Sequence, residues 1–255
     1  MSKNTLFQKP IVSMPLIVIL NTLAMIWLGL LAYLQQSQHL LSGIAFLIIY
    51  LLLCEAWQLL GRNMYYHHRQ FAIGIYIGKL LISLVLILII ACQSRWLIGG
   101  LLLMYELYQG LLYRNDFRYL ATPYFPLLNG FFKGFVINII LSIGVPFTYT
   151  WSDLSIYIIP ILTFFMASTL YQIMYNNKKI RMPYYILFTI AVVLIMIVMV
   201  IHAFSSSMTW LKLVLFFLYS CCLLYVFKKT KTKRLEQELC ISIFVFLSMM
   251  TCTFI

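Results

Sequence analysis

Three short stretches place hydrogen-bonding side chains at helical spacing inside very apolar surroundings. In CEAWQLLGRN (54–63), Glu55, Gln58 and Arg62 recur at three and four residues, which puts them on one helix face. YELYQGLLYRN (105–115) repeats the order with Glu106, Gln109 and Arg114, and TLYQIMYNN (169–177) echoes it with Gln172 and Asn176. Each glutamine follows an aromatic residue (Trp57, Tyr108, Tyr171) and is trailed by asparagine: Asn63, Asn115, and Asn176 with Asn177. A carboxylate, an amide and a guanidinium in series can bind an anion, pass a proton or fasten neighbouring helices by ion pairs. The elements carrying them decide among these.

Those elements lie in a membrane. Apolar residues make up 64% of the 255 and charged residues 9%, against about 45–50% and 25% in a soluble domain. Apolar blocks of about 18 or more read as spanning helices. Nine are predicted, over 13–34, 40–60, 71–92, 96–113, 129–149, 154–175, 184–204, 209–227 and 239–255, in one all-α transmembrane domain covering 1–255. The first apolar run is too long for a signal peptide and no convincing cleavage site follows it.

Charge sets the expected orientation. Lys3 and Lys9 precede the first span; Arg62, Arg69, Arg114, Arg118, Lys178, Lys179, Arg181 and the KKTKTKR run at 228–234 occupy the even loops. The odd loops carry only Arg95. Basic loops stay in the cytoplasm, so the N-terminus is expected inside and the C-terminus outside a bacterial plasma membrane. The same rule explains the net charge of +12 without nucleic acid. A further role for these loops is attraction to anionic headgroups.

Four ionisable residues fall within the spans. Counted from the predicted cytoplasmic ends, Glu55, Lys79, Glu106 and Lys133 lie roughly 8, 12, 10 and 6 Å deep. A charge at a helix centre costs about 2.5–3.5 kcal/mol on insertion scales, so such groups turn inward and pair. The depths allow Glu55 with Lys79, and Glu106 with Lys79 or Lys133. Either these pairs fix the packing of spans two to five, or they line a polar cavity open to the cytoplasm. The six cysteines and four histidines have no zinc-type spacing, no nucleotide loop or hydrolase motif occurs, and neither a metal nor a cofactor is expected.

Nine spans with polar motifs at the cytoplasmic ends of the second and sixth resemble the UbiA superfamily of intramembrane prenyltransferases. QKPIVSMPLIVIL resembles the family's lead into its first helix, and LLYRNDFRYL its segment after the fourth. LLGRNMYYHHRQ and YQIMYNNKK stand where the family has Asp-rich motifs. That family holds Mg²⁺ and a diphosphate on aspartates. This chain has Asn63, Met64 and His67 at the first place, and Gln172, Asn176 and Asn177 at the second. Its only aspartates are Asp116 and Asp153.

The resemblance therefore implies the fold without the usual Mg²⁺-dependent transfer. It implies a protein that binds or handles an isoprenoid or other membrane lipid at a vestibule of Gln58, Arg62, Asn63, Gln109, Arg114, Gln172 and Asn176. Two alternatives stand beside it: a permease-type subunit of a transport system working with a partner membrane protein or a separate ATPase, and a divergent transferase using Glu55 and Glu106.

Overall fold

The computed structural model describes residues 10–36, 43–66, 72–111, 119–142, 157–175, 181–205, 209–229 and 234–253. Every regular element among them is helical. In chain order these are α1 (Pro10–Gln36), α2 (Ile44–Tyr66), α3 (Ile73–Gln93), α4 (Trp96–Leu111), a 3₁₀ turn (Tyr119–Ala121), α5 (Tyr124–Ser142), α6 (Ile158–Tyr175), α7 (Arg181–Ser205), α8 (Thr209–Lys229) and α9 (Arg234–Thr253). Six rods, α1, α2, α3, α5, α6 and α7, contain stretches long and apolar enough to cross a membrane. Of the other three, α4 is short at 16 described residues, α8 carries a shorter apolar stretch, and α9 opens on the charged string RLEQE.

Neighbours in sequence pack as neighbours in space: α1 on α2, α2 on α3, α3 on α4, α5 on α6, α6 on α7, α7 on α8 and α8 on α9. The last helix returns to the first, since α1 packs most extensively on α9. Two contacts tie the inside together, α1 with the C-terminal half of α5 and α6 with α9. Small residues allow the closest of these approaches, as in membrane helix pairs generally. A Cβ on Gly134 would lie 2.5 Å from the Ile161 nitrogen, and one on Gly29 would lie 2.8 Å from the Asn138 carbonyl oxygen.

The end of α2 and the start of α5 fall elsewhere than expected, and both shifts involve charged residues. α2 continues to Tyr66, so Gln58, Arg62 and Asn63 lie within the helix rather than at its edge. α5 begins at Tyr124, five residues before the expected start, with Pro123 at its cap and Pro126 in its first turn, where a missing N–H costs nothing. Glu55 therefore sits eleven residues from the end of α2 and Lys133 nine from the start of α5, about 17 and 14 Å of helix. Both lie farther from their helix ends than expected.

The middle of α5, Phe131–Val136, is wound as a π-helix, a form frequent at functional sites. Lys133 lies in it. At its exit the Asn138 amide donates to the carbonyls of Lys133 (3.3 Å) and Gly134 (3.0 Å), and the Asn138 Oδ1 accepts the Gly29 N–H of α1 at 2.9 Å.

Candidate functional site: a buried ionic core and its polar mouth

The α2 stripe faces inward along its whole length. Glu55, Gln58 and Arg62 are each 2% exposed or less, because α2 is covered by α1 and α3 and reaches α4, α5 and α9 through its polar side chains. Three ion pairs follow. Glu55 meets Lys133 from the π turn of α5. Lys79 of α3 meets Glu106 of α4. Arg62 meets Glu238 of α9 through two parallel contacts, Nε to Oε1 at 3.1 Å and Nη2 to Oε2 at 3.3 Å.

The pairing corrects one expectation. Glu106 does take Lys79, but Glu55 takes Lys133 rather than Lys79. Because α5 starts early, Lys133 is a mid-helix residue on its buried face, where it meets Glu55. The two pairs remain close, since Glu55, Lys79 and Glu106 all lie within electrostatic range of the Cys54 thiol. Glu106 is further held by the Tyr50 hydroxyl at 3.2 Å, with Cys54 Sγ 3.9 Å away.

Arg62 is the most heavily held of the charges. Besides Glu238 it lies over the Tyr171 ring, 4.2 Å from the centroid, a geometry that favours a cation on an aromatic face. Glu238 also accepts from the Tyr175 hydroxyl of α6. Glu238 went unnoticed in the sequence because the ninth helix was expected from residue 239. The helix begins at Arg234, and Glu238 then shares a buried face with Ser242 and Val245. Glu238 compensates the Arg62 charge, and a second guanidinium, Arg234, lies over the Tyr175 ring, 5.7 Å from its centroid.

At the mouth of the core, Arg62, Tyr65, Tyr171, Gln172 and Tyr175 line one small pocket, closed on its far side by Leu120 and Phe125. Gln172 donates to the carbonyls of Leu120 (2.9 Å) and Thr122 (2.6 Å), anchoring the short turn before α5. Its Oε1 has no hydrogen bond, and neither does Arg62 Nη1. On the 3₁₀ turn, burial pushes the Tyr119 phenol above its ordinary pKa.

Of the expected vestibule, Arg62 and Gln172 share this pocket. Gln58 and Gln109 lie deeper and fully buried, and Asn63 is half-buried. Arg114 and Asn176 lie outside the described residues, as do His67, His68, Asp116 and Asp153.

The pocket is poorly suited to Mg²⁺. Hard cations take carboxylate oxygens, whereas it presents a guanidinium, an amide and phenols, and Glu238 beside it is engaged by Arg62 and Tyr175. Among the described residues no three His, Cys, Asp or Glu side chains gather as metal ligands would.

Apolar rods wrapped around a charged interior define an all-helical, multi-pass membrane protein. No family profile, curated protein or solved structure matches the chain.

Proposed function

We propose that the chain is a nine-span protein with its N-terminus in the cytoplasm, and that it binds the anionic headgroup of an isoprenoid or another membrane lipid at the Arg62 pocket without a divalent cation. Nine helical rods among the described residues and the alternation of basic and bare loops support the topology. The resemblance to UbiA prenyltransferases supports the lipid class. The observation that carries the site is Arg62 Nη1, buried, without a hydrogen bond, on a guanidinium held from its other side by Glu238 and Tyr171. Such a fixed donor pair suits a phosphate or carboxylate oxygen, and the half-buried Tyr65 of the same pocket adds a second donor type.

A transferase built on Glu55 and Glu106 is less favoured, because each carboxylate is already engaged by a lysine. A transport subunit is the second reading, favoured by ionisable groups near mid-helix, which mark ion or substrate pathways in membrane bundles.

The test is binding of an isoprenoid diphosphate to purified protein in lipid nanodiscs, with and without EDTA. Binding that survives EDTA and falls at least tenfold in Arg62→Gln is expected. Binding that requires Mg²⁺, or transfer that depends on it, overturns the proposal.

A further inference from the structure

One turn beyond Glu55 and Glu106 lie two buried amides that make no hydrogen bond. Gln58 of α2 and Gln109 of α4 are 2% and 0% exposed, and neither the nitrogen nor the oxygen of either side chain makes a hydrogen bond. They belong to one layer. Tyr50 bonds to the Leu102 carbonyl and to Glu106, and Cys54 approaches Glu106, so α2 and α4 run in the same direction at matching levels and meet through side chains. One turn beyond Cys54 is Gln58, and one turn beyond Glu106 is Gln109 with Gly110. Tyr76 of α3 marks the same level on both helices. Its ring lies 6.3 Å from that of Trp57, and a Cβ on Gly110 would lie 3.0 Å from its hydroxyl.

Two more atoms face the same neglect. Glu55 reaches Lys133 through Oε1, while its Oε2 has no hydrogen bond. The Tyr105 hydroxyl, also buried, lies beside Gln109 without a bond of good geometry. Native proteins leave few buried polar groups unmet, and those that protein does not satisfy are met by buried water making about three hydrogen bonds. Amides are suited to this, since each offers two donors and an acceptor.

The geometry points to a hydrated site between α2 and α4, in which buried water bonds Gln58, Gln109, the Tyr105 hydroxyl and Glu55 Oε2, and so links the Glu55–Lys133 pair to the Tyr105 and Gln109 side of α4. The site is distinct from the Arg62 pocket and stands whether or not that pocket binds a headgroup.

Two measurements on the full chain in nanodiscs test it. In ¹⁵N-glutamine-labelled protein, the side-chain N–H protons of Gln58 and Gln109 should cross-relax with water that stays bound in the site; their isolation from water overturns the proposal. Thermal unfolding of Gln58→Leu and Gln109→Leu reads the same point by sign. A hydrated site loses water bonds on substitution, so each variant should melt several degrees lower. A dry layer would be relieved of an unmet polar group, so a higher melting temperature overturns the proposal. If a variant does not fold, the water contacts of the unaltered protein decide.

Discussion

α6 and α7 are sequence neighbours that pack along each other, yet they live in opposite surroundings. Ile158–Tyr175 has a mean hydropathy of 1.5 with 72% of its residues buried, whereas Arg181–Ile201 has 2.9 with 28% of its most apolar stretch buried. α5 and α3 repeat the contrast, at 1.5 with 72% and 2.7 with 33%. The more apolar helix is the outer one in both cases. In water the order would be reversed, because burial there is driven by removing apolar surface from solvent. In lipid the acyl chains already satisfy apolar side chains, so helices associate through close packing and polar contacts. α6 shows both, with Ser168, Thr169 and Gln172 buried and its backbone pressed on Gly130 and Gly134.

The largest test of this contrast removes one partner of an inner pair. Glu238→Leu strands a buried guanidinium, and a loss of about 3–5 kcal/mol is expected. The double replacement Arg62→Met with Glu238→Leu should recover most of it, as measured by unfolding in mixed micelles. An equally damaged double variant would mean that the pair's charges, rather than their mutual compensation, hold α9 in place.

A smaller effect is expected from packing. Gly134→Ala puts a Cβ against the Ile161 backbone and should cost about 1–3 kcal/mol. Gly78→Ala, with nothing within 4 Å of the new carbon, should be neutral or stabilising by up to about 1 kcal/mol, since alanine is the better helix former. Similar losses at both sites would erase the distinction between inner and outer helices. The smallest effect belongs to the lipid-facing surface. Leu194→Val on the exposed side of α7 should change stability by less than about 0.5 kcal/mol in the same unfolding assay.

The inward stripe was legible because its spacing is local: Glu55, Gln58 and Arg62 share a face wherever the helix starts or stops. The helical rods were legible for the same reason, since each apolar block stands alone. The partners were not. Which lysine meets Glu55 depends on where α5 begins, and the two prolines that open it, Pro123 and Pro126, lie in a stretch that reads as loop by composition. Glu238 was hidden similarly. RLEQE follows a run of lysines and looks like its continuation, and only the early start of α9 turns it inward. The π turn at Lys133 has no counterpart in hydrophobic periodicity.

The balance of charge on α2 has an electrical consequence. That helix carries one acid, Glu55, and one base, Arg62, and no other charged residue. A unit charge crossing the whole membrane exchanges about 2.3 kcal/mol with a potential of 100 mV. If α2 slid as a rod along the membrane normal with both residues inside the field, the work done on Glu55 and Arg62 would cancel. Such a displacement would be electroneutral, and voltage would neither drive nor oppose it.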